Sequence, residues 1–138
     1  MLPAPDGVTT PLVLVVDDSR TVRMILGRGL RALGCEVIEA ADGHEALVIL
    51  HERGGVDLIL TDVNMPGMDG CALIQAVRAD PALAHVPALV VTASSAVGDL
   101  ERARAAGATG HLPKPCTPEM LRERLTAIGV LPDPEPNA

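Results

Sequence analysis

The sequence predicts an α/β fold, a doubly wound five-stranded parallel sheet with helices on both faces. Three observations predict it. Apolar runs at 12–16, 58–60 and 88–91 show no polar alternation, the pattern of strands covered on both faces. These runs and two shorter ones alternate about five times with segments of helical periodicity, which implies helical crossovers and a parallel sheet. Strand ends carry Asp, Thr or Lys, so polar groups gather where open parallel sheets place their sites.

The elements follow in order. Residues 1–11 are rich in Pro, Thr and Gly and are expected to form a flexible lead-in. The 12–16 strand ends in Asp17-Asp18, and Ser19 is the N-cap residue of a helix whose Val22, Ile25, Leu26, Leu30 and Leu33 recur at helical spacing. Arg20, Arg23, Arg28 and Arg31 are expected on its solvated face, with Gly34 ending it. A strand over 35–40, an Asp42-Gly43 turn and a helix carrying Ala46, Leu47 and Leu50 come next.

The 56–62 strand ends on Asp62, and a loop punctuated by Pro66, Gly67 and Gly70 follows. Asp69 can cap a helix carrying Leu73, Ile74 and Val77. After a connector at 81–87, the strand at 88–91 ends at Thr92, and Ser94-Ser95 opens a helix from about 96 to 106. With Val97 and Leu100 as its main large apolar residues, that helix is predicted to be the most weakly docked. A short strand at 110–112 precedes Pro113-Lys114-Pro115. Thr117-Pro118 supplies N-cap and N1 for a last helix with Leu121, Leu125 and Ile128 on its inner face. Residues 12–129 thus form one domain, and 130–138, with prolines at 132, 134 and 136, are expected to be a flexible tail.

Composition narrows the function. The chain has 138 residues, 48% of them hydrophobic, and no Phe, Tyr or Trp, so the core is aliphatic and no ring is present to stack on a base or a flavin. A formal net charge of −7 leaves no broad basic face for nucleic acid. Cys35, Cys71 and Cys116 are far apart and odd in number, which points to reduced thiols in the cytoplasm. No apolar run reaches membrane-spanning length, and no secretion signal opens the chain.

Side by side, the strands gather Asp17, Asp18, Asp62, Thr92 and Lys114 at one end of the sheet. Clustered acids repel unless a cation joins them, and carboxylate oxygens with open positions suit Mg²⁺. Mg²⁺ and the Lys114 ammonium nominally cancel the three acids. One acid can then attack phosphorus while the Lys114 ammonium and the Thr92 hydroxyl hold the phosphoryl oxygens. Lys114 is the only lysine of the chain, a compact point charge where a guanidinium fork fits poorly.

Asp17-Asp18, LTDVNMPGMDG around Asp62, Thr92-Ala93, GATGHLPKP around Lys114-Pro115, and ADGHEAL at 41–47 together resemble the receiver domain of two-component response regulators of the chemotaxis-regulator kind, over about 12–129. The resemblance implies a flavodoxin-like strand order 2-1-3-4-5 and a phosphorelay function without independent enzymatic activity. Asp62 would be the phosphoacceptor. Asp18 and Asp62 would ligate Mg²⁺ with side chains, Asn64 with its backbone carbonyl, and Asp17 through metal-bound water. Thr92 and Lys114 would grip the phosphoryl group, and the Lys114–Pro115 peptide would be cis. Ser94 and Asn64 would flank the approach of water.

The partners implied are a histidine kinase or histidine phosphotransfer protein and an unidentified downstream protein or output domain, with no direct contact to nucleic acid or membrane. His111 stands where receivers commonly carry Tyr or Phe, so its coupling to Thr92 and the 92–112 surface is expected to be weaker or pH-sensitive.

Other readings fit less well. A metal-dependent phosphohydrolase with an aspartyl-phosphate intermediate needs an acid two residues after its nucleophile on the first strand, whereas Ser19 and Arg20 follow the adjacent Asp17 and Asp18. A flavodoxin-like cofactor binder lacks a Gly-rich phosphate loop after the first strand. His44, His51 and His85 share no ligand spacing and are expected at the surface.

Overall fold

The computed structural model describes residues 10–93 and 97–132. Strands β1 (Leu12–Val16), β2 (Glu36–Ala40), β3 (Leu58–Asp62), β4 (Ala88–Thr92) and β5 (Gly110–Pro113) alternate with helices α1 (Arg20–Ala32), α2 (Gly43–Arg53), α3 (Gly70–Ala79), α4 (Val97–Ala106) and α5 (Pro118–Ala127). All strand pairs are parallel and the order is β2-β1-β3-β4-β5. The third strand begins at Leu58 rather than 56. Asp57 instead ties the strand entry, accepting the Leu12 N–H on its carboxylate at 2.7 Å.

Each continuous apolar run serves two cores because successive side chains point to opposite faces. Leu14, Val16, Ile59, Ala88 and Val90 meet α2, α3 and α4, whereas Val13, Val15, Leu58, Leu60, Leu89 and Val91 meet α1 and α5. The expected N-caps Ser19, Asp69 and Thr117 form, each accepting a backbone N–H from the first turn of the following helix, and Asp42, read from sequence only as part of a turn, caps α2 in the same way. No helix among the described residues is long and apolar enough to cross a membrane.

The structure departs from the sequence reading at several places. Ile25, expected among the inward residues of α1, is 57% exposed, while Leu26 and Leu30 are buried. Val130 and Leu131, placed by sequence in the tail, pack against the α1–α5 core, and both N–H groups donate to the Leu125 carbonyl. Residues 1–9, 94–96 and 133–138, including Ser94 and most of the expected lead-in and tail, lie outside the described residues. Among the described side chains of helix α4, Ala103 and Ala106 are buried and Leu100 is half-buried.

Two glycines bring backbone against the loop that follows β3. At Gly43, the first residue of α2, a Cβ would stand 2.6 Å from the Met68 side chain. At Gly70, the first residue of α3, a Cβ would overlap the Asp62 carbonyl oxygen. Gly70→Ala is therefore expected to cost roughly 2–4 kcal/mol by forcing backbone apart. Gly98→Ala, in open space on α4, is expected to add about 0.5 kcal/mol through helix propensity. Urea denaturation of the two variants measures both.

Candidate functional site

The site starts where β1 runs out. Asp17 N–H donates to the Ala40 carbonyl at 3.1 Å, so pairing with β2 continues to the acid itself. Asp17 is only 1% exposed, and both carboxylate oxygens are used. Oδ1 accepts the Ser19 N–H at 2.8 Å, turning the chain into α1, and Oδ2 accepts from Lys114 Nζ at 2.8 Å. The Asp17 carbonyl accepts Arg23 Nη1 at 2.7 Å, while Arg23 Nε pairs with Glu39 at 3.0 Å.

Register carries the other groups to the same end. Val16 lies opposite Thr61 and Asp62 opposite Val91, so Asp17 and Asp62 emerge as neighbours. Thr92 lies opposite Pro113, and Lys114 N–H donates to the Thr92 carbonyl at 2.9 Å. The Lys114–Pro115 peptide is cis. Lys114 Nζ thereby reaches Asp62 Oδ2 at 3.4 Å as well as Asp17. Asp17, Asp18 and Asp62 each offer a carboxylate oxygen within 4.8 Å of the others. Asp18 is exposed, Asp62 half-buried and Asp17 buried.

Three carboxylates against one ammonium leave two uncompensated negative charges. Burial, followed by the Asp17 charge, raises the Asp62 carboxyl above the ordinary range, although Lys114 and the Asn64 N–H pull the other way. Burial draws Lys114 down, but its hydrogen bond to Asp17 and the charges of Asp62 and Asp17 outweigh it and raise the ammonium above its usual value. Hard oxygen donors with a two-charge deficit and one solvent-facing carboxylate fit a small divalent cation such as Mg²⁺.

The sequence-predicted residues thus fall into two groups. Asp17, Asp18, Asp62 and Lys114 converge directly. Thr92 is buried at the adjoining end of β4, and Asn64 is exposed on the loop beside Asp62, its N–H directed at that carboxylate. His111 is exposed on β5 and lines a separate cleft of about 390 Å³ against α4, together with Leu100, Glu101 and Arg104. His44, His51 and His85 are exposed, and His51 pairs with Asp80 at 3.1 Å.

Arg23 was expected on a solvated face, yet its side chain is only 15% exposed and it braces Asp17. Helical side chains lean toward the N-terminus, so an arginine one turn after an N-cap naturally reaches back to the strand end. That direction is the signal for Arg23 in the sequence. Arg20, Arg28 and Arg31 are exposed as expected.

Known proteins are similar to this chain in sequence and fold. The profile described as "response regulator receiver domain" matches residues 13–126. The chemotaxis protein CheY of Pseudomonas aeruginosa is 44% identical over 117 residues, covering 84% of this chain and 94% of that protein. The chemotaxis protein CheY-3 of Vibrio cholerae is 42% identical over 117 residues, covering 84% and 89%. Among solved structures, chemotaxis protein CheY4 of Vibrio cholerae superposes with a TM-score of 0.81 at 38% identity, covering 87% of this chain and 99% of that one. The receiver domain of a Pseudomonas aeruginosa sensor histidine kinase, solved with a magnesium ion coordinated in its active-site cleft, gives a TM-score of 0.79 at 29% identity, covering 86% and 97%.

Because the folded Asp62 carboxyl lies above its unfolded value, its linkage favours the fold below the unfolded value. That stability is lost as pH rises through the raised folded value. At neutral pH, without divalent cations, Asp62→Asn is therefore expected to be more stable than the parent, by on the order of 1 kcal/mol. The advantage shrinks in acid, and thermal melts across pH measure it.

Proposed function

The chain belongs to the response regulator receiver domain family, and from that premise we propose that Asp62 is its phosphoacceptor, served by Lys114, Thr92 and an acidic magnesium site. The observation that carries this reading is Lys114 Nζ between Asp17 and Asp62, at 2.8 and 3.4 Å. A receiver signals through phosphorylation, and this chain is a signalling domain of that kind.

Asp18 and Asp62 would hold Mg²⁺ with side chains, Asn64 with its carbonyl and Asp17 through water. Bound there, the ion supplies positive charge for the oxygens of the transferring phosphoryl group. An Asp62 carboxylate oxygen attacks phosphorus and forms a P–O bond. The bond from phosphorus to the donor breaks, and its electron pair leaves with the donor, an imidazole nitrogen of a histidine kinase or phosphotransfer protein. Lys114, released from part of its hold on the acids, follows the phosphoryl oxygens, and the Thr92 hydroxyl donates to one of them. Water later attacks the same phosphorus, the P–O bond to Asp62 breaks, inorganic phosphate leaves and the carboxylate is restored.

Occupation of Asp62 then shifts a balance of two states on the 92–112 surface. The cleft between β5 and α4 lies on that surface, with His111 at its edge. This reading places the chain in the cytoplasm, beside its phosphoryl donor and a downstream protein or output domain.

Incubation with acetyl phosphate and Mg²⁺ tests the site. The intact protein is expected to gain the mass of one phosphoryl group, and Asp62→Asn to gain none; an unchanged gain in that variant would falsify the assignment. Asp18→Asn is expected to raise the magnesium requirement about tenfold, equivalent to about 1.4 kcal/mol. For His111, amide shifts over 92–112 on phosphorylation are expected to differ between the parent and His111→Ala. An identical response removes His111 from the switch.

A further inference from the structure

Asp69 closes the loop that begins at Asp62, and both of its carboxylate oxygens are engaged. Oδ1 caps α3 by accepting the Ala72 N–H at 2.8 Å, and Oδ2 accepts from Arg102 Nη2 of α4 at 2.9 Å. The other arm of the guanidinium, Nη1, lies 3.4 Å from Asp99, almost one turn earlier on α4. Arg102 therefore bridges the middle of α4 to the last residue before α3.

The loop itself has little slack. Gly70 N–H donates to the Val63 carbonyl at 3.0 Å, Gly70 lies against the Asp62 carbonyl, and Met68 rests on Gly43 of α2. A displacement at Asp62 or Asn64 is passed along such a loop rather than absorbed in it. Helix α4 is the opposite case. Among its described side chains, the buried ones are two alanines, Ala103 and Ala106. Its C-terminal end is fixed, since the Gly107 carbonyl accepts Arg78 Nε at 2.9 Å and Arg78 also holds the Ala84 and Val86 carbonyls. From the middle of the helix, Arg102 supplies an anchor that leads straight back to the phosphoacceptor loop.

We infer that Arg102 is a positioning residue that couples α4 to the phosphoacceptor loop through Asp69, so that occupation of the Asp62 site reaches α4 by an ion pair as well as by Thr92 and His111. The inference rests on Asp62 being the phosphoacceptor. It also accounts for a receiver without an aromatic residue: the His111 side chain, at the end of the other route, is exposed and makes no hydrogen bond to another described residue. The bridge is itself half-exposed, so it responds to ionic strength.

The test uses beryllofluoride with Mg²⁺ as the probe and amide chemical shifts as the readout, on the full chain. Asp69→Asn keeps a capping oxygen and removes the charge, and Arg102→Gln removes the charge from the other side. Each is expected to reduce the beryllofluoride-induced shifts across 97–106 by about half, with the double variant no lower than either single one, as for partners in one interaction. Shifts at 63–70 remain, and Arg102→Lys recovers part of the α4 response, which general unfolding of α4 would not allow. In the parent, about 0.5 M salt is expected to have the same effect as the substitutions. A full α4 response in both single variants, or losses that add in the double variant, overturns the coupling. If the parent shows no beryllofluoride response that Asp62→Asn abolishes, the phosphoacceptor reading itself fails, a pattern distinct from loss confined to α4.

Discussion

One ammonium holds two carboxylates together at the end of the sheet, and the site exists because it does. Like charges about 4 Å apart repel by about 4 kcal/mol at the effective dielectric near a protein surface. Asp17 and Asp62 are brought into that range by strand register alone. Lys114, carried in from β5, lies within 4 Å of both, and its backbone is pinned to Thr92 on the neighbouring strand. On the proposed function, the remaining negative charge suits the pocket to a divalent cation, whose positive charge would then serve a phosphoryl group. Burial makes the ionised Asp62 carboxylate costly to the fold, and its raised carboxyl is the trace of that cost.

Rigid and lightly held parts lie next to each other around this pocket. The strands are buried on both faces by aliphatic side chains, and glycine backbone packs directly on the loop that follows Asp62. Among its described side chains helix α4 buries Ala103 and Ala106, with Arg78 gripping one end and Arg102 reaching the loop. A stiff loop beside a loosely docked helix suits a domain whose output is a shift between surface states. The absence of aromatic rings moves the weight of such coupling toward charged and polar contacts, since no large ring is available to swing between two packed positions.

Legibility in the sequence followed the physics of each feature. Strand ends, caps and the order of chemistry-bearing residues are local patterns, so Ser19, Asp69 and Thr117 are readable as caps. Features that depend on a neighbour from elsewhere were not. Ile25 fits the apolar period of α1 but lies beyond the strip that the sheet covers. Arg23 looks like its solvated neighbours until β2 brings Glu39 beside it and the strand end brings the Asp17 carbonyl within 2.7 Å. Leu131 sits in a proline-rich stretch, yet α1 and α5 leave an apolar surface for it.

The sequence by itself determined the alternation of strands and helices, the aliphatic core and the presence of three acids, a hydroxyl and a solitary lysine at strand ends, because hydrophobic period and turn chemistry are written within a few residues. Only the tertiary structure decided which acid is buried, which is exposed, and that Asp69 faces Arg102 across 33 residues of chain at 2.9 Å. Burial and ion pairing depend on distances between segments remote in sequence, and those distances are set by register and packing.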